Sequence, residues 1–244
     1  MAIIANMATY PGRRDQSVQA IRSIASQVDV INVVLNEYVF VPPELKVLPR
    51  TNFIFPPEDL KDVGKFLPRV DPEDDVFLCD DDIEYPADYV ERMMRLRAGA
   101  ESIDPILGLH GIIYSDYYEG KPRAGRLVEG FTREVKVARL VNQLGTGTIY
   151  CKGRQMPGFD YMQDSQRFVD VRFARHAKAT GAALVCVPRG GSWLKQIAVD
   201  GSIYESFTET HPSHVVREIQ DIAGHSHLDP RLASRVETLV VDAE

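Results

Sequence analysis

The chain has 244 residues, 44% of them apolar and 26% charged, which is globular and long enough to bury one sizeable core. With 28 Lys and Arg against 35 Asp and Glu, its net charge of −7 argues against a nucleic-acid binder that relies on phosphate attraction. No apolar run approaches the roughly 20 residues that cross a bilayer, the start lacks a signal-peptide order, and Cys79, Cys151 and Cys186 are too few and too scattered for a disulfide framework.

In chain order, Ala2 to Ala8 reads as a strand that ends in the turn Thr9-Tyr10-Pro11-Gly12. A helix follows, with Val18, Ile21, Ile24 and Val28 at helical spacing. Val30 to Leu35 is apolar almost throughout, as a strand covered on both faces of a parallel sheet would be. Asn52 to Phe55 and Val76 to Cys79 read as further strands, and Pro86 opens a helix carrying Tyr89, Val90, Met93 and Leu96. Ile106 to Leu109, Ile112 to Tyr114, Gly147 to Cys151 and Ala183 to Val187 continue the strand series, with a helix over Phe168 to Thr180 stopped by Gly181. Val215 to Ile222 and Arg231 to Val240 are helical stretches of a polar tail. Without repeats or a linker, the chain reads as one α/β domain: a mostly parallel, Rossmann-like sheet flanked by helices. Residues 1–100 would form a nucleotide-binding half, 101–195 an acceptor and catalytic half, and 196–244 a tail or lid.

The most informative segment is Asp80-Asp81-Asp82 behind the strand Val76 to Cys79. A buried strand that delivers three carboxylates to its C-terminal end places them where open α/β sheets bind ligands. Such charges repel and raise one another's pKa unless a cation compensates, and Mg²⁺ or Mn²⁺ on one or two carboxylates keeps positions open for phosphates. A solvated acidic turn ahead of a helix would have the same composition.

This segment resembles the DxD motif of GT-A-fold glycosyltransferases, particularly the family-2-like group. The resemblance implies Asp80 near the ribose, Asp82 on Mn²⁺ or Mg²⁺, and Asp81 between them, in a register open by one residue. Ala5 to Arg13 is similar to the family's first strand and nucleotide loop, with Thr9 and Tyr10 facing base or ribose and Arg13 facing phosphate; an ordinary βα turn fits the same residues. Asp62-Val63-Gly64-Lys65 falls where the family completes the base and diphosphate pocket, Lys65 offering a mobile ammonium, although a solvated lysine fits as well. It is not a Walker A loop.

Phe168 to Phe173 is similar to the second acidic motif, which makes Asp170 the general base and Asp164 its rival; a helix-terminal Asp is the plain alternative. Leu144 to Tyr150 resembles the segment lining the sugar pocket. His110 and Tyr114 to Tyr118 offer groups for an acceptor sugar, or simply buried packing. Trp193, behind Gly190-Gly191, would cover a ligand or pack. Of six histidines, His211 or His214 could complete a metal shell, while His225 and His227 define no zinc site. The resemblance implies a metal-dependent, inverting transfer from a nucleotide-diphosphate sugar, UDP by family frequency, to a glycan or lipid-linked acceptor. The expected location is the cytoplasm, with any membrane contact peripheral. Two alternatives stay open: a metal-dependent phosphohydrolase with Asp80 as nucleophile, and a non-catalytic nucleotide-sugar-binding protein.

Overall fold

The computed structural model describes residues 1–121, 124–198, 211–224 and 230–239. Thirteen strands and seven α-helices are defined among them. The strands are β1 (Ile3–Thr9), β2 (Val30–Leu35), β3 (Thr51–Ile54), β4 (Asp75–Cys79), β5 (Ile83–Glu84), β6 (Ile106–Gly108), β7 (Gly111–Tyr114), β8 (Arg126–Glu129), β9 (Arg139–Leu140), β10 (Gln143–Leu144), β11 (Thr148–Lys152), β12 (Leu184–Cys186) and β13 (Lys195–Gln196). The helices are α1 (Arg14–Ile24), α2 (Pro43–Lys46), α3 (Tyr89–Ala98), α4 (Phe159–Met162), α5 (Val169–Thr180), α6 (Ser213–Ile222) and α7 (Pro230–Val236).

The central sheet runs β3-β2-β1-β4-β11-β6-β12-β9. Strands β3, β2, β1 and β4 are parallel, as their apolar runs require, since a strand hidden on both faces has no polar side to show. Strand β4 is buried at all five positions and feeds both cores: Phe77 and Cys79 join the cluster containing Met7, Ile21, Ile24 and Tyr89, whereas Val76 and Leu78 join the one containing Val63, Phe66, Phe173 and Ile219. Each large apolar side chain fully buried in this way contributes about 1.5–3 kcal/mol against leaving it exposed. β11 runs antiparallel between β4 and β6. A smaller sheet, β10-β7-β8, stands beside the central one, and β13 pairs with β5.

Helix ends follow local chemistry. α5 stops where Gly181 takes φ +74°, a left-handed conformation that glycine adopts without a Cβ penalty. α1 ends at Ile24, so Val28, expected on it, is buried instead in the turn into β2. Pro86 opens a turn, with Tyr89 N–H bonded to its carbonyl at 3.0 Å, and α3 proper begins only at Tyr89.

Sheet register positions the functional groups. Met7 stands opposite Cys79 in the parallel β1–β4 pair, so the residues just beyond, Thr9 and Asp81, leave the sheet side by side. Thr148 stands opposite Cys79 in the β4–β11 pair, which sets Gly147 beside Asp80.

A cavity built around the aspartate turn

The C-terminal ends of β1 and β4, the turn before β11 and the start of α5 enclose a cavity of about 1300 Å³. Its lining includes Thr9, Tyr10, Arg13, Asp62, Lys65, Asp80, Asp81, Asp82 and Asp170. The residues expected around the nucleotide, the aspartate turn and the base Asp170 therefore face one space, whereas His211, His214, Asp164 and Trp193 do not line it.

Each aspartate of the turn has its own partner. Asp80 forms an ion pair with Lys65. Asp81 accepts a hydrogen bond from Thr9 Oγ1 at 2.7 Å. Asp82 accepts one from Arg13 at 2.7 Å, with the same guanidinium nitrogen 3.8 Å from Asp81. Lys65 is only 3% exposed, so it is neither the mobile ammonium expected from the sequence nor the solvated lysine that is its alternative. It is held in place by the packed turn Lys61–Phe66, whose Gly64 sits against Ala8 and Val34, where an added Cβ would lie 3.0 Å from Val34 Cγ1.

The balance of charge is acidic. Burial pushes the Asp81 carboxyl up to about 7, with Asp82 and Asp80 adding repulsion and Thr9 and Arg13 opposing. Asp82 is raised by burial first and by Asp80 second. Asp62, whose carboxylate accepts the Arg167 backbone N–H, rises to about 6 through burial. Five carboxylates, Asp62, Asp80, Asp81, Asp82 and Asp170, thus share a wall with only Lys65 and Arg13 as paired cations. Among the described residues no three His, Cys, Asp or Glu side chains converge as a ready-made metal cage. Two hard carboxylates, Asp80 and Asp82, in an acidic surround suit a divalent ion that draws its other ligands from phosphate and water.

Asp170 lies at the first turn of α5. Its Oδ1 accepts hydrogen bonds from Thr146 N–H at 2.8 Å and from Thr146 Oγ1 at 2.7 Å. Both bonds end on the same oxygen, Oδ1. Burial raises its pKa, against the lowering effect of the Thr146 bonds and Lys65. Asp164, the alternative acid, lies elsewhere, in a separate depression with Glu58 and Phe159.

Other residues find structural work. Trp193 does not line the cavity: its indole N–H donates to Asp88 at 3.0 Å and the Arg92 guanidinium lies 4.5 Å over its ring. His211 also stands outside the cavity lining, with Nδ1 3.0 Å from Tyr118 Oη, so it does not join the aspartates. His214 packs against Phe168. His225 and His227 lie outside the described residues.

The sequence reading missed Tyr85, Arg126 and Phe131. Tyr85 Oη accepts the Asp80 N–H at 2.9 Å and donates to the Gly147 carbonyl at 2.7 Å, tying the aspartate turn to the turn before β11. Arg126 and Phe131 line the cavity from β8 and the loop after it. Tyr85 sits three residues past Asp82, a position that marks it as a brace once the turn is recognised; Arg126 and Phe131 carry no local signal.

No family model matches the chain, and no curated protein matches it. Among solved structures, it is similar to residues 1–349 of S. aureus TarS in complex with UDP-GlcNAc, with a TM-score of 0.54 at 12% identity over 91% of this chain and 65% of that one. A second structure of S. aureus TarS residues 1–349 gives a TM-score of 0.49 at 10% identity, over 91% and 71% of the two chains. The chain thus spans just under two thirds of the first of these neighbours. It shares the GT-A-like fold of the first of these, a mostly parallel sheet flanked by helices.

Proposed function

We propose that this chain is a glycosyltransferase that uses a nucleotide-diphosphate sugar, UDP-linked by preference, and inverts the anomeric centre. The observation that carries the reading is the convergence of the β1 loop, the aspartate turn and Asp170 on one cavity of about 1300 Å³. That space exceeds the roughly 300–1,000 Å³ of ordinary ligand pockets and leaves room for an acceptor beside a donor. The likeness to TarS, a GT-A-type glycosyltransferase solved with UDP-GlcNAc, supports the donor class.

In this reading Tyr10 lies along the base and ribose, Arg13 turns from its aspartates to the donor's diphosphate, and Lys65, held beside Asp80, meets that diphosphate from where it stands. Asp80 and Asp82 would hold Mn²⁺ or Mg²⁺, whose chemistry when bound is to neutralise charge gathering on the departing diphosphate. Asp170 Oδ2 takes the proton of the acceptor hydroxyl as that oxygen bonds to the anomeric carbon and the bond from that carbon to the diphosphate oxygen breaks. A carboxyl raised by burial toward the working pH is the better base for this step. Thr146 fixes its orientation through Oδ1.

The acceptor we propose is a glycan or lipid-linked hydroxyl. No helix among the described residues is long and apolar enough to cross a membrane. The test is UDP release from UDP-GlcNAc and other UDP-sugars with Mn²⁺ and a panel of glycan acceptors. Acceptor-dependent release from the wild type supports the proposal. Phosphate release from simple phosphomonoesters, without any nucleotide, would replace it with a phosphohydrolase.

A further inference from the structure

Three asparagines stand abreast on neighbouring strands of the central sheet: Asn6 of β1 is opposite Asn32 of β2, which is opposite Asn52 of β3. Their amides form a ladder. Asn32 Nδ2 donates to Asn6 Oδ1 at 2.9 Å, and Asn52 Nδ2 donates to Asn32 Oδ1 at 2.9 Å. Asn52 is exposed, and among the described residues its Oδ1 receives no hydrogen bond. An amide that donates within such a chain is polarised into a better acceptor. The ladder therefore ends in an unspent carbonyl at the margin of the sheet.

β3 is that margin, the first strand of the order β3-β2-β1-β4-β11-β6-β12-β9, and among the described residues it pairs with β2 alone. Ile31 N–H bonds to the Arg50 carbonyl at 2.7 Å. Backbone groups alternate in direction along a strand, so Arg50, Asn52 and Ile54 face β2 while Thr51 and Phe53 turn theirs outward. Open edges are ordinarily blunted by charge or by shortness. The opposite margin, β9, is two residues long and carries Arg139. Thr51-Asn52-Phe53-Ile54-Phe55 has no charge, and Phe55 is 46% exposed. Pro49 and Pro56 bracket this stretch and confine any pairing to it.

We propose that the β3 edge pairs antiparallel with the β3 edge of a second copy of this chain, on a two-fold axis through Asn52. The edge is self-complementary about that residue. Because Asn52 turns its backbone inward, the two copies of it form a non-hydrogen-bonded pair, with Cα atoms about 4.5 Å apart and side chains at their closest. Each amide gives its second N–H to the other's Oδ1, which joins the two ladders end to end. Thr51 and the second copy's Phe53 exchange both backbone bonds, and Phe55 lies across from the second copy's Pro49. An unrelated peptide would supply the backbone bonds but not the reciprocal amide. None of the residues from Thr51 to Phe55 lines the cavity, so the pairing does not depend on the glycosyltransferase reading. A strip this short suits a weak dimer, with a Kd of about 1–100 μM.

Sedimentation velocity of the full chain from about 1 to 300 μM tests the pairing on the wild type and Asn52→Lys. The wild type should pass from monomer to dimer over this range. Asn52→Lys sets two ammonium groups on the axis and should weaken the dimer at least about tenfold, with the urea midpoint unchanged. Cross-linking supplies a second readout. Cys79, Cys151 and Cys186 are buried, so a thiol placed at the edge is the reactive one. Cα atoms about 4.5 Å apart lie within disulfide reach, and under mild oxidation Asn52→Cys should form a linked dimer at least about tenfold faster than the exposed control Glu91→Cys. A wild type that stays monomeric at about 300 μM overturns the proposal. So does a dimer that Asn52→Lys leaves intact, or cross-linking of Asn52→Cys no faster than that of the control. Should Asn52→Lys fail to fold, the wild-type sedimentation and the cross-linking rate decide.

Discussion

A Cβ added to Gly147 would stand 2.0 Å from Asp80 Oδ2, so the aspartate occupies space that only glycine leaves open. Gly147 is not at positive φ, so alanine meets no backbone strain and must instead push Asp80 off Lys65. Gly147→Ala should therefore weaken UDP binding in Mn²⁺ by about tenfold or more while costing only about 1 kcal/mol of stability. Titration calorimetry beside urea unfolding checks both halves. Unchanged UDP affinity would show that Asp80's position does not matter to the nucleotide.

Lys65 is buried among Asp80, Asp62 and Asp170. Lys65→Met keeps most of the volume and removes the charge, leaving these carboxylates without their shared cation. Because Asp80 is partly exposed, the expected loss is about 2 kcal/mol, below the usual range for breaking a fully buried pair. Urea denaturation measures it, and a loss under about 0.5 kcal/mol would mean solvent already screens the pair.

Two residues should give stability opposite dependences on pH. His110 titrates near 4 in the folded protein, below its ordinary value, so between about pH 6.5 and 4 the unfolded chain binds a proton that the fold refuses, and stability falls as pH drops. Asp62, raised to about 6, binds its proton more tightly when folded, and its contribution is lost as pH rises from about 4 through 6. Relative to the wild type, His110→Gln should be spared the acid-side loss, by about 2 kcal/mol at pH 4, and Asp62→Asn should be spared the loss on going from pH 4 to 6. Thermal unfolding at pH 4, 5, 6 and 7 separates them. Parallel curves for all three proteins would contradict the assignment.

Asp170→Asn keeps an oxygen for the Thr146 bonds but cannot take a proton. Turnover should fall by about a thousandfold, within the range general bases supply, with UDP affinity nearly unchanged. Asp164→Asn, in the separate depression, should be close to wild type. Steady-state kinetics on both variants decides, and near-normal turnover in Asp170→Asn would end its assignment as base.

What the sequence made legible depended on how local the signal was. β1, β2 and β4 lie where their apolar runs placed them, because a strand buried on both faces writes its burial into consecutive residues. β8, β9 and β10 were not foreseen: they are four, two and two residues long, and their pairing is set by distant partners. In the site, the Asp80 to Asp82 turn stood out because three carboxylates after a buried strand are conspicuous. Lys65 was named, yet its burial follows from packing against β1 and β2 that no spacing reveals. Trp193 pointed the other way, since a lone indole near glycines gives no sign of the Asp88 and Arg92 that hold it on the surface of α3.

The central claim is that the aspartate turn faces a nucleoside diphosphate. Titration calorimetry of UDP into the wild type and into Asp82→Ala, each with Mn²⁺ and with EDTA, tests it most directly. The account predicts saturable, Mn²⁺-dependent binding to the wild type that is weakened at least about tenfold in Asp82→Ala. No UDP binding to the wild type, or equal binding by both proteins regardless of Mn²⁺, would contradict it.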